Sequence, residues 1–100
     1  MATKNFSVSQ DKSGTYLLQG ELTIHDLEEL KDFLEKALKG GKKKNIVISF
    51  AEVGFIDTAV LQLLVAFKRW IEPDVELKIS ALSAEVEDIL SLTGLKTAFF

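Results

Sequence analysis

Segments with the two-residue period of a β-strand alternate with segments with the 3.6-residue period of an α-helix over most of this 100-residue chain. The predicted strands cover residues 6–10, 15–22, 45–50, 75–79 and 95–100. The predicted helices begin at Thr23, Thr58 and Ser83 and end at Gly40-Gly41, Ile71 and Gly94, and residues 51–56 are predicted to form a short connection. Asp26, three residues after Thr23, completes something close to a capping box. Gly20 suggests a bulge or a close backbone approach in the second strand. Strands that alternate with helices pair in parallel through right-handed crossovers, whereas the first two strands form an antiparallel hairpin. We therefore expect a compact α/β domain with a mixed sheet and its helices mainly on one face.

The second predicted helix is apolar nearly all round. Only three of the residues 59–71 are polar, whereas a surface helix of a small domain needs an apolar stripe only a little wider than about 100°. Two explanations remain open. Either this helix lies between the other two and is covered by them, or part of it, around Val60, Leu63 or Phe67, stays exposed and meets a partner protein.

The composition excludes several classes of function. The chain has no cysteine, which excludes disulfides, thiolate catalysis and cysteine-ligated metals. Its net charge of −3 lacks the basic excess of a nucleic-acid surface. No apolar run has the length of a signal-peptide core or of a membrane-spanning helix. We therefore expect a cytoplasmic protein that neither binds nucleic acid nor inserts directly into a membrane.

Residues that could carry catalysis or hold a metal are sparse. His25, the single histidine, lies in the first predicted helical turn, and no nucleophile or orienting group stands at a recognisable spacing from it. No Asp/Asn ladder of a calcium loop is present. The segment Lys39-Gly40-Gly41-Lys42-Lys43-Lys44 lacks the spacing and the strand-to-helix context of a phosphate loop, so it is interpreted as a solvated turn or as a weak attraction to an acidic partner. We expect no enzyme activity, no metal and no cofactor.

The pair Asp57-Thr58 stands where the second helix begins. The first amides of a helix have no intrahelical partner, so one of the two side chains is expected to cap them while the other lies nearby. A second interpretation uses the same physics: a phosphate on the Thr58 hydroxyl would gain from the helix dipole and the free amides. Such a phosphate adds roughly −1.5 to −2 charge, enough to disrupt an apolar interface. Thr58 is therefore also a candidate phosphorylation switch.

Several of these residues together resemble the STAS domain family, which includes bacterial anti-sigma-factor antagonists. The resemblance is carried by Gly20-Glu21-Leu22, the apolar strand of residues 45–49, Phe55-Ile56-Asp57-Thr58, Leu61, Leu63-Leu64, and the closing Leu90-Ser91-Leu92-Thr93-Gly94-Leu95. It covers essentially the whole chain. It implies a single STAS-like domain of residues 1–100, with a mixed four- to five-stranded sheet and helices packed mainly on one face.

The resemblance also implies a function, because in that family the hydroxyl residue after the aspartate is phosphorylated. Thr58 would be the acceptor and Asp57 its acidic neighbour. The unphosphorylated form would bind an anti-sigma factor, a GHKL-type serine/threonine kinase, and a phosphatase would restore that form. The implied partner-binding surface comprises Thr23, Ile24, His25, Ala59, Val60 and Leu63.

The chain departs from the family pattern at a few positions. Thr23 and Ser49 stand where family members commonly carry acids, and Ala59-Val60 replace the usual small residues after the acceptor. Two functions therefore remain open. One is a partner-switching regulator, and the other is a non-phosphorylated accessory subunit docked permanently on a stressosome, a chemotaxis-linked cluster or a lipid-transport complex. Association as a homodimer also remains open.

Overall fold

A computed structural model describes residues 5–40, 45–72 and 74–99 of the chain. The elements in chain order are β1 (Phe6–Gln10), β2 (Tyr16–Leu22), a 3₁₀ turn (Ile24–Asp26), α1 (Leu27–Gly40), β3 (Asn45–Ile56), α2 (Thr58–Ile71), β4 (Glu76–Leu82), α3 (Ala84–Thr93) and α4 (Lys96–Phe99). Residues 41–44 of the predicted lysine-rich turn, together with Pro73 and Phe100, lie outside the described residues.

The four strands form one mixed sheet in the order β1-β2-β3-β4. β1 pairs antiparallel with β2, and the pairs β2–β3 and β3–β4 are parallel. Both crossovers advance in the same direction across the sheet, so right-handed connections place α1 and α2 on the same face. The predicted α/β fold with a mixed sheet is thus confirmed, with four strands and four helices within the described part of the chain.

One face of the sheet supplies the core, and the other carries polar side chains. The buried sheet residues beneath the helices include Phe6, Leu18, Ile46, Ile48, Val53 and Leu77. On the opposite face the cross-strand row Ser7, Gln19 and Glu52 is exposed. A sheet covered on one side explains why the strands alternate apolar and polar residues even where they pair in parallel.

α2 is the most deeply buried helix, which accounts for its apolar composition. Its buried residues are Val60, Leu61, Leu64, Phe67 and Ile71. The expectation that Val60 or Phe67 lies on an exposed part of the helix is therefore wrong, because both side chains belong to the buried core. Trp70 instead is the large hydrophobic residue of α2 that is exposed.

Gly20 allows β1 to approach β2 closely. Its φ is +103°, and a Cβ atom at this position would lie 2.4 Å from the backbone oxygen of Asn5. The same oxygen accepts a hydrogen bond from the N–H of Glu21 at 2.9 Å, and the β2–β3 register shifts between Gly20 and Glu21. The bulge and the close backbone approach predicted at this glycine are both confirmed.

The predicted ends of β3 and β4 are wrong, since β4 extends beyond residue 79 to Leu82. β3 was expected to end at residue 50 and to continue as a connection over residues 51–56, but the strand extends to Ile56 because β2 pairs with it to the end. Register shifts in the β2–β3 pairing interrupt the period-two pattern there, so residues 51–56 lack the regular alternation by which a strand is predicted.

The chain ends in a helix rather than in the predicted strand of residues 95–100. Gly94 adopts the left-handed conformation, its N–H donates to the carbonyls of Leu90 and Ser91, and the N–H of Leu95 donates to Leu90. This helix C-cap turns the chain into α4. A short apolar run fits a strand or a buried helical turn equally well, so only its surroundings decide.

Candidate functional site

The carboxyl ends of β2 and β3 bring the two segments of the candidate site side by side. Leu22 pairs with Ile56 at the end of the β2–β3 ladder, and the N–H of Asp57 donates to the carbonyl of Leu22 at 2.9 Å. The residues that follow each strand therefore emerge at the same edge of the sheet, which is where open α/β sheets place their binding sites.

Thr58 is the first residue of α2 and is exposed to solvent. No hydrogen bond joins its hydroxyl to another residue in the described part of the chain. The helix begins with the backbone bond from the N–H of Leu61 to the carbonyl of Asp57, at 3.1 Å. The three amides before Leu61 belong to the first turn, whose N–H groups have no intrahelical acceptor.

Asp57 occupies the N-cap position of α2, but its side chain makes no cap hydrogen bond. Oδ2 of Asp57 instead accepts a hydrogen bond from the backbone N–H of Ile24 at 2.7 Å. The prediction that Asp57 or Thr58 caps the helix is therefore wrong. The carboxylate connects the start of α2 to the 3₁₀ turn and leaves the first amides of the helix without a side-chain cap.

Asp26 organises the neighbouring turn. Its Oδ2 accepts from the N–H and the hydroxyl of Thr23, both at 2.9 Å, and its Oδ1 accepts from the N–H of Asn5 at 3.2 Å. Burial of the carboxyl would raise its pKa, but the hydrogen bonds from Thr23 and Asn5 outweigh burial and hold the pKa of Asp26 below its ordinary value. The capping box predicted from Thr23 and Asp26 is confirmed.

The other residues of the predicted partner surface differ in their exposure to solvent. Ile24 is 56% exposed and His25 is also exposed, whereas Thr23 is half-buried. Ala59 and Leu63 are half-buried and line a groove of about 600 Å³ between α1 and α2, together with Leu27, Glu28, Lys31 and Gln62. Val60 is fully buried. Its side chain belongs to the core and cannot contribute to a contact surface.

Phe55 is an exposed residue that sequence reasoning did not assign to the surface. It is 39% exposed and pairs with Glu21 on the face of the sheet opposite the helices. The alternation of Phe55 with the buried Ile56 is the signal that could have revealed its direction. It was missed because this segment was interpreted as a connection, and a connection has no defined faces.

The described residues show neither a metal cluster nor a membrane span. They contain no group of three or more His, Asp or Glu side chains arranged to hold a metal ion. His25, the single histidine, belongs to no such group within the described ranges, and its backbone N–H donates to Oγ1 of Thr23 at 3.2 Å. None of the described helices has the length and apolarity needed to cross a membrane.

Comparison with known proteins gives concordant results. Residues 7–99 match a family model described as Mlab, STAS domain. The fold is similar to that of an anti-sigma factor antagonist from Mycobacterium paratuberculosis, with a TM-score of 0.76 and 18% identity over 94% of this chain and 82% of the other. It is also similar to the anti-sigma factor antagonist SpoIIAA in its unphosphorylated form, with a TM-score of 0.69 and 20% identity over 95% of this chain and 85% of the other. Because the family model spans nearly the whole sequence, this chain belongs to the STAS domain family.

Proposed function

We propose that this protein is a binding module controlled by phosphorylation of Thr58. The unphosphorylated form binds an anti-sigma factor or a related GHKL-type serine/threonine kinase, and phosphorylation ends that binding until a phosphatase reverses it. Proteins of this family are generally binding modules rather than enzymes. The observation that carries the proposal is the exposed hydroxyl of Thr58 at the start of a helix whose first turn Asp57 leaves uncapped.

The helix start favours the charged product of the modification. The γ-phosphoryl group of ATP passes to Oγ1 of Thr58, the hydroxyl proton is released, and ADP leaves. The phosphate then lies near the positive end of the α2 dipole and near amides that need acceptors. It also places roughly −1.5 to −2 charge beside the exposed side chain of Ile24. A partner that covers Ile24 would have to desolvate this charge, so binding is lost.

The proposed contact surface extends from Thr58 along two elements. On one side lie Ile24 and His25 in the 3₁₀ turn, and on the other lie Ala59 and Leu63 on α2. Val60 is left out because it is buried. The groove beside Ala59 and Leu63 is lined by both apolar and charged side chains, and protein interfaces combine the two.

Phosphorylation can be tested directly. The purified protein is incubated with ATP and the GHKL-type kinase encoded nearest to it in its genome, and the modified residue is mapped by mass spectrometry. We expect phosphate on Thr58 and none in Thr58→Ala. Thr97→Ala is the matched control, since Thr97 is another exposed helical threonine and its removal should leave labelling unchanged. Phosphate on another residue, or none at all, would refute Thr58 as the acceptor.

A permanently docked accessory subunit is the second candidate function. It is favoured by Trp70, which is 70% exposed on the last turn of α2, because exposed tryptophans are enriched among residues that dominate protein interfaces. In that case Thr58→Ala and Thr58→Glu would both retain full partner binding, whereas Trp70→Ala would weaken it. Loss of binding in Thr58→Glu alone would favour the regulator.

A further inference from the structure

Two carboxylates hold consecutive backbone amides at the candidate site. Asp26 accepts from the N–H of Thr23 at 2.9 Å, and Asp57 accepts from the N–H of Ile24 at 2.7 Å. Asp26 lies within the turn itself, so its bond is local. Asp57 lies 33 residues away in sequence, so its bond joins the 3₁₀ turn to the first residues of α2.

The bond to Asp57 bears on the most exposed aliphatic residue at this edge of the sheet. Ile24 is 56% exposed and belongs to a helical turn of only three residues. Such a short turn has few backbone hydrogen bonds of its own. The position of Ile24 relative to Thr58 therefore depends on the carboxylate that ties the two segments together.

We propose that Asp57 is a positioning residue, which holds the Ile24 turn beside Thr58 in the unphosphorylated protein and releases it when Thr58 carries a phosphate. The inference rests on the proposed function of Thr58 as the acceptor and adds the route by which the modification reshapes the surface. The phosphate alters the contact surface by moving an apolar side chain as well as by adding charge.

The release follows from the charges on two adjacent residues. The phosphate on Thr58 is attracted to the uncapped amides of α2, which lie directly after Asp57. The Asp57 carboxylate carries the same sign, and like charges on two adjacent residues repel. A rotation of the Asp57 side chain away from the phosphate lengthens the 2.7 Å hydrogen bond that Oδ2 accepts from the N–H of Ile24. Bonds to charged acceptors are strong while the geometry is kept, and this one is lost when the acceptor turns away.

The test measures how fast the Ile24 amide exchanges with water, by NMR on ¹⁵N-labelled protein. Phosphothreonine is installed at position 58 during synthesis of the chain, so that no kinase is needed. The measurement is made with and without the phosphate in the natural sequence and in Asp57→Asn, which keeps an oxygen acceptor and removes the charge. The Thr23 amide, bonded to Asp26, is the reference within the same molecule.

We expect the phosphate to accelerate Ile24 exchange on the order of tenfold in the natural sequence, as for the loss of one bond to a charged acceptor. In Asp57→Asn the two Ile24 rates should agree within about twofold, because an amide oxygen is not repelled. The Thr23 rate should stay unchanged throughout.

Equal Ile24 rates with and without phosphate in the natural sequence would overturn the inference, and so would the same acceleration in Asp57→Asn. Should the asparagine variant fail to fold by circular dichroism, the natural sequence decides alone: acceleration at Ile24 without acceleration at Thr23 supports the release. A kinase that never labels Thr58 would defeat the proposed function but would leave this measurement unaffected.

Discussion

Replacing Gly20 by alanine should be among the most damaging single-methyl additions that this protein can receive. The new Cβ would lie 2.4 Å from the carbonyl oxygen of Asn5, and the backbone φ of +103° is one that residues with a side chain rarely adopt. The contact is with backbone, so no side-chain rotation can relieve it. β1 must move away from β2, and the hydrogen bond from the N–H of Glu21 to Asn5 is then lost.

The magnitude follows from these two effects. A left-handed or similarly strained φ costs about 1–2 kcal/mol in a residue with a Cβ. A displaced strand with a lost backbone hydrogen bond adds about 1 kcal/mol or more. We expect Gly20→Ala to lower the free energy of unfolding by about 3 kcal/mol, a large part of the 5–15 kcal/mol that a domain of this size typically has.

The assay is equilibrium unfolding in urea followed by circular dichroism, with Gly54→Ala as the matched control. Gly54 lies in the neighbouring strand β3, its φ is outside the left-handed region, and a Cβ atom at this position would have no other atom within 4 Å. Its replacement should change stability by less than about 1 kcal/mol, or raise it slightly because the unfolded chain loses freedom. If Gly20→Ala were as stable as Gly54→Ala, the close approach of β1 would not be what requires glycine at position 20.

Three further predictions concern the core, a helix cap and the buried acid. Leu64→Ala removes a fully buried side chain and should lower the free energy of unfolding in urea by about 3 kcal/mol. Leu92→Ala, at a position 86% exposed, should change it by no more than about 0.5 kcal/mol. Similar losses in both variants would contradict the burial of Leu64. Ser83→Ala removes the acceptor of the Val86 N–H and the donor to the Val53 carbonyl. It should lower the melting temperature by several degrees, corresponding to about 1 kcal/mol or more, and an unchanged melting temperature would show that these two bonds contribute nothing. The pKa of Asp26 is lower in the folded state than in the unfolded chain, so the stability it provides is present above the unfolded pKa of about 3.9 and is lost as the pH falls through the folded value. Asp26→Asn should therefore lower stability at pH 7 and flatten the decline of stability below about pH 4. Acid titration monitored by circular dichroism measures this decline in both proteins. If the decline were parallel in the two, the acid sensitivity would belong to other groups.

The exposure of Thr58 and the burial of Val60 show which features of the site could be read from local sequence. Local sequence correctly places position 58 at the start of a helix, and in the structure Thr58 is exposed there. Val60 is only two residues later, yet it points into the core. Which side of a nearly uniformly apolar helix faces the sheet is not encoded in its periodicity, and neighbouring elements decide it.

Asp57 is a clearer case of a feature that local sequence does not predict and that neighbouring elements decide. An aspartate before an apolar helix is a good cap by local chemistry, and nothing within the segment of residues 54–64 indicates another partner. The partner is the N–H of Ile24, which reaches Asp57 because β2 and β3 end level with one another in the sheet. A hydrogen bond between residues so far apart in sequence depends on strand register, and register is a property of the assembled sheet.

The amino-acid sequence by itself determined the α/β order of elements, the hairpin, the ends of α2 and α3 and the capping box at Thr23. These features rest on hydrogen bonds and steric limits that span only a few residues. Tertiary structure alone decided the second half of β3, the helical end of the chain, the outward direction of Phe55 and the acceptor role of Asp57. Each of these depends on a strand or helix distant in sequence, and until that neighbour is in place the same residues satisfy two conformations about equally well.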